Sequence, residues 1–110
     1  MKTIRSLKDQ RVLERFKSLL QEREVPLTRL ILFGSRARGD ADAESDYDVL
    51  VVMERLDRHI HMTISRCAWE AGFDDCLLIV PVVVTQEEVE ENPFRSSLLM
   101  QVIRDEGVTL

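Results

Sequence analysis

At 110 residues, with 45% hydrophobic and 32% charged side chains, the chain is long enough for one packed core and too short for two domains. A net charge of −5 and a pI near 5.0 make it a poor non-specific binder of nucleic acid, which argues against a polynucleotide substrate. Cys67 and Cys76 stand nine apart with no CxxC and read as reduced, partly buried thiols, and no apolar run is long enough to span a bilayer, so the expected location is the cytoplasm with no membrane contact.

Residues 6–23 carry Val12, Leu13, Phe16, Leu19 and Leu20 on one face, the spacing of an amphipathic helix with Ser6 as its N-cap. The other face, with Lys8, Asp9, Arg11, Glu14, Arg15, Lys17 and Glu22, is mixed in sign and reads as solvated surface. Pro26 stops this segment, and residues 27–33 follow as a buried strand. The strand runs into Gly34 and Ser35, where a backbone can approach a ligand closely and present N–H groups to a phosphate. Residues 35–38 suit a short helical turn, with the Ser35 hydroxyl beside its first amides. Arg36 and Arg38 are alternative forked donors to phosphate oxygens; one of them pairs instead with Asp40, Asp42 or Glu44 to fix the loop, and the sequence does not say which.

After the polar loop 40–45, Asp46 and Asp48 open a second apolar run whose unbroken character marks a central strand buried on both faces. Residues two apart share a strand face, about 6.6 Å apart along the chain. Two carboxylates so placed repel each other unless a cation neutralises them, and hard oxygen ligands combined with substrate phosphates are the usual environment of Mg²⁺. The local reading is a Gly34-Ser35 phosphate cradle facing an Asp46/Asp48 metal seat.

Ile60, Ile64, Cys67, Ala68 and Ala71 then recur at helical spacing, with Gly72 suited to the position just past the helix end and His59 and His61 facing solvent. Residues 77–84 read as a third strand, in which Pro81 calls for an edge position or a bulge. Thr85 with Glu88 forms a capping box opening a short helix. A last helix is expected over residues 93–105, from Pro93 to its stop at Gly107, and residues 108–110 would add a small strand. The sum is a single α+β domain over residues 1–110, a small mixed β-sheet with helices packed against it.

The motif Gly34-Ser35-Arg36-Ala37-Arg38-Gly39, followed by Ser45-Asp46-Tyr47-Asp48, resembles the minimal nucleotidyltransferases of the DNA polymerase beta superfamily, whose signature is Gly-Ser, a gap of about ten residues, then Asp-x-Asp. The resemblance implies a palm-like fold and transfer of a nucleoside monophosphate, AMP above all, from an NTP to a hydroxyl acceptor. It implies Asp46 and Asp48 as catalytic ligands of two Mg²⁺ ions, and Gly34, Ser35, Arg36, Arg38 and Ser45 as nucleotide contacts. Stand-alone relatives are often found with a helical HEPN-type partner in toxin-antitoxin pairs, which makes a protein acceptor the simplest reading for so short a chain. Family members usually carry a third carboxylate on a following strand, and residues 77–84 contain none, the nearest acids being Asp74, Asp75, Glu87 and Glu88. The alternative is therefore a degenerate nucleotide-binding or antitoxin-type module that holds a partner without turnover. A homodimer is compatible with the apolar terminal helix, and composition does not decide it.

Overall fold

The computed structural model describes residues 6–91 and 93–110. The elements run α1 (Leu7–Glu22), β1 (Leu27–Phe33), α2 (Ser35–Arg38), β2 (Tyr47–Met53), α3 (Arg58–Phe73), β3 (Ile79–Thr85), α4 (Gln86–Glu90), α5 (Leu98–Glu106) and β4 (Val108–Thr109). The four strands form one mixed sheet in the order β3-β2-β1-β4, the α+β architecture expected. β1 pairs antiparallel with β2 and with β4, whereas β2 and β3 are parallel and joined through α3.

The alternation of side chains along the strands divides the core into two layers. Leu30, Leu32, Val49 and Val51 face α1 and α3, meeting Val12, Phe16, Leu20, Ile64 and Cys67. Ile31, Phe33, Leu50 and Val52 face the other way, against Val84, Val89, Met100 and Ile103. Residues 49–53 of β2 are wholly inaccessible, as a strand covered on both faces must be. Truncating one such side chain, Leu50 for instance, would cost about 2–5 kcal/mol.

Several boundaries follow local chemistry rather than the expected ones. Ser6 does cap α1, accepting the Asp9 N–H at 3.2 Å, and Thr85 with Glu88 forms the capping box of α4. Pro81 lies in β3, an edge strand. The last helix starts at Leu98, not at Pro93, because residues 93–97 form turns and Ser97 accepts the Met100 N–H at 3.2 Å, a cap that fixes the start there. Gly72 lies inside α3 rather than past its end: the Leu77 carbonyl packs so closely on its Cα that a methyl would collide with it. The left-handed residue is Cys76, at φ 54°, and this turn delays β3 to Ile79. Cys67 is buried, but Cys76, on that turn, is exposed.

Candidate active site

The Gly-Ser turn and the two aspartates meet at one end of the sheet. Phe33 is the register partner of Asp48 across the antiparallel pair, so the chain leaves β1 at Gly34 directly beside the Asp48 side chain. Gly34 has φ 76° and ψ −159°, a region open to glycine and costly for other residues. A methyl there would also run into Asp48 Oδ2, and would stand 3.3 Å from Asp48 Cγ. The glycine thus serves both the turn and the approach of a carboxylate to the backbone. Within α2, the Ala37 and Arg38 N–H groups donate to the Gly34 carbonyl. The first amides of such a turn have no partner within it, and here they belong to Ser35 and Arg36.

Two arginines separated by one residue have opposite roles. The Arg36 side chain is 8% exposed and Arg38 is 42% exposed. Arg36 donates through Nη2 and Nε to the Ser45 carbonyl (2.7 and 3.1 Å), through Nη2 to the Ala43 carbonyl (3.3 Å) and through Nη1 to Asp9 Oδ1 (3.3 Å). Its guanidinium also lies over the Tyr47 ring, 4.4 Å from the centroid. Arg36 therefore holds the loop that leads to Asp46. Arg38 is held by acids near solvent, Asp40 at 3.2 Å and Glu106 of α5 at 3.3 Å.

Ser45 closes the loop from inside. Its hydroxyl donates to Asp42 Oδ1 at 3.2 Å, and the Glu44 N–H donates to the same oxygen at 2.9 Å. These donors, Glu44 first, hold the Asp42 carboxyl below the usual carboxylate range.

Asp46 is exposed and Asp48 half-buried. The Asp48 carboxyl is pushed above the ordinary aspartate value, first by burial and then by the Asp46 charge, with Arg38 partly offsetting both. Between the two acids Tyr47 turns to the α1/α3 side of the sheet and donates its hydroxyl to Asp9 Oδ1 at 2.6 Å. Burial, and then that acceptor, raise the phenol above its ordinary value.

Asp9 is the site-supporting residue that charge counting along α1 placed on a solvated face. It is buried, and its Oδ1 accepts from both Arg36 and Tyr47, tying together two side chains that already touch through the ring. The signal was available: residues 9, 12, 13, 16 and 20 form one helical stripe, so Asp9 is an acid on the apolar face.

β3 offers no acid to the site. In the parallel register Val80 is the partner of Asp48, on the same face. Asp74 and Asp75 pair with Arg15 and Arg11 of α1, at 3.2 and 3.1 Å, on the other side of the sheet. Glu88 caps α4 beyond the far end of β2, about 17 Å along the strand from Asp48. Among the described residues no group of three or more His, Cys, Asp or Glu could hold a metal ion. Asp46 and Asp48 fit a cation that draws its remaining ligands from a bound phosphate, since their own repulsion is only partly offset by Arg38.

Comparison with known proteins bears on the family and the fold. The model of the nucleotidyltransferase domain family matches residues 10–106. A Methanocaldococcus jannaschii protein, MJ0141, whose name proposes a protein adenylyltransferase, is 60% identical over 30 residues, spanning 27% of this chain and 30% of that protein. A chain of a toxin-antitoxin complex crystallised with AMP-PNP superposes with a TM-score of 0.61 at 21% identity, covering 87% of this chain and 69% of that one. Another, from a complex of tri-AMPylated Shewanella oneidensis HEPN toxin with MNT antitoxin, gives 0.56 at 19% identity, over 91% and 69%. At these identities the superpositions speak to the fold. No helix among the described residues is long and apolar enough to cross a membrane.

Proposed function

The chain belongs to the nucleotidyltransferase domain family, and from that premise we propose that it transfers a nucleoside monophosphate, AMP in the first instance, from an NTP to a hydroxyl on a protein. The observation that carries the reading is the contact of Asp48 with Gly34, which puts an acid seat and a phosphate cradle side by side. Asp46 and Asp48 would hold Mg²⁺ together with the phosphate oxygens, and the metal would supply charge stabilisation at the attacking and leaving oxygens. The Ser35 and Arg36 amides and the Ser35 hydroxyl would bind the terminal phosphates. Arg38 would exchange Asp40 and Glu106 for a phosphate oxygen, while Arg36 and Ser45 keep Asp46 in place from behind. In the transfer the acceptor oxygen bonds to the α-phosphorus, the bond to the bridging oxygen breaks, and pyrophosphate leaves. With Val80 where a third carboxylate would stand, the acceptor's proton passes to solvent or to a base that the acceptor brings. The toxin-antitoxin neighbours support a HEPN-type protein as partner and acceptor.

Val80 also favours a second reading, a module that binds nucleotide and partner without turnover. Incubation with α-labelled ATP and Mg²⁺ or Mn²⁺, with and without host lysate, separates the two. A labelled protein band lost in the Asp46→Asn/Asp48→Asn variant supports transfer. No label, with ATP binding measured separately, supports the module. Mg²⁺-dependent ATP binding that survives the double substitution would overturn the site.

A further inference from the structure

α3 presents a second apolar stripe, on the side away from the sheet. Its inner face is Ile60, Ile64, Cys67, Ala68 and Ala71. Met62, Trp69 and Phe73, at i, i+7 and i+11, lie within about 40° of one another on the opposite side. They are 46%, 58% and 59% exposed. The chain's single tryptophan is among them, and its ring lies 4.7 Å from that of Phe73, so the two form one continuous apolar surface. Large aromatics left in water and in contact with each other are what interface anchors look like.

The charges bordering this stripe are of one sign. Arg58 and Arg66 flank it at about 40° on either side at 100° per residue, and both are exposed. The nearest acid on the helix, Glu70, is engaged by Arg23 of α1. In a chain of net charge −5, an apolar ridge with a cationic border is a local reversal of the overall field. A second copy would fit badly, because an isologous α3–α3 contact centred on this stripe brings Arg66 toward Arg66 while the nearest acid, Glu70, is already engaged by Arg23.

We propose that the outer face of α3 is a docking ridge for an amphipathic helix of a partner protein, one whose apolar stripe is bordered by Asp or Glu. The ridge takes leucine-like side chains between Met62, Trp69 and Phe73, while the acids meet Arg58 and Arg66 and set orientation and partner choice. The surface stands apart from the Asp46/Asp48 site and does not depend on the function proposed for it.

The test uses the full chain and two synthetic helical peptides with the same leucine stripe, one bordered by glutamate and one by lysine. Trp69 is the only tryptophan, so its emission reports contact directly. The expected result is a blue shift saturating with the glutamate peptide, at least tenfold weaker with the lysine peptide, and weakened again by salt. Trp69→Ala/Phe73→Ala, followed by peptide anisotropy, should lose about thirtyfold or more with an unchanged circular dichroism spectrum. Arg58→Glu/Arg66→Glu should exchange the peptide preference while keeping the tryptophan signal. Equal binding of both peptides, or no shift with either, overturns the proposal. So does a concentration-dependent dimer that buries Trp69, or a shift seen only with anionic vesicles or an oligonucleotide.

Discussion

Asp9→Ala is the substitution whose consequences reach furthest. The carboxylate accepts from the Tyr47 hydroxyl at 2.6 Å and from Arg36 at 3.3 Å, and the side chains of Asp9 and Arg36 are both nearly inaccessible. Removing one partner of a buried pair leaves the other charge uncompensated, at about 3–5 kcal/mol. Arg36 keeps its bonds to the Ala43 and Ser45 carbonyls, which places the expected loss at the lower end, about 3 kcal/mol. With an unfolding entropy of about 2.1 cal/mol/K per residue over 110 residues, this lowers the melting temperature by about 13 °C. Asp9→Asn keeps an acceptor for the tyrosine and should cost about half as much. Because Arg36 also positions the loop before Asp46, metal-dependent nucleotide affinity should fall in Asp9→Ala even at temperatures where the variant is fully folded. Thermal unfolding by circular dichroism, paired with ATP titration at 15 °C, measures both. A melting temperature within about 4 °C of the parent, that is within about 1 kcal/mol, would refute the network as a source of stability.

Gly34→Ala places a side chain at φ 76° and against Asp48, so besides about 1–3 kcal/mol of strain it should lower Mg²⁺-ATP affinity more than tenfold, and calorimetric titration showing unchanged affinity would detach Gly34 from the site. The Asp48 carboxyl has a raised pKa in the folded chain, so the native state binds the proton more tightly and stability falls as pH rises from the ordinary aspartate value through the raised one. Asp48→Asn should therefore melt higher than the parent above that window and equally below it; a parallel pH profile would contradict the raised pKa. Val80→Asp puts a third carboxylate about 4.8 Å across the ladder from Asp48, so the metal-free variant should melt lower and gain more from Mg²⁺ than the parent does. An equal gain would remove Val80 from the site. Of the two thiols, exposed Cys76 should react with a disulfide reagent at once, while Cys67, buried and with its thiol pushed up by that burial, should react only as the chain unfolds. Two fast equivalents would contradict its burial.

What was legible in the sequence was what lies close together along the chain. The Gly34-Ser35 turn and the Asp46/Asp48 pair flank a single loop, and a period of two suffices to put both acids on one face. The caps at Ser6 and Thr85 were legible for the same reason, since a side chain and an amide three residues on decide them. Pro93 misled because proline at a first helical position is permitted rather than required, and Ser97 supplies the cap that Pro93 lacks. Asp9's place on the apolar stripe was legible, but its role was not, because its partners are 27 and 38 residues away and only the sheet brings Arg36 and Tyr47 to it. The division of labour between Arg36 and Arg38 has the same cause: two residues apart on a single helical turn, they differ only in what the fold puts beside them. The outer stripe of α3 was hidden by its inner one, since both have the helical period.

Tyr47 explains why the acids and the fold are not independent. A one-residue slip of β2 would carry Asp46 and Asp48 to the side covered by α1 and α3, and Tyr47 to the side that faces α4 and α5. The Tyr47 hydroxyl on Asp9, and the Arg36 guanidinium over its ring, oppose that slip from the buried face. The interactions that stabilise the sheet thus also decide which way the two carboxylates point, and damage to Asp9, Arg36 or Tyr47 cannot be confined to stability. Arg38 is the contrasting case. Its partners Asp40 and Glu106 form ion pairs near solvent, which contribute about 0–1 kcal/mol each. A doubly or triply charged phosphate can displace them at little cost, so Arg38 can respond to a ligand while Arg36 keeps the loop fixed.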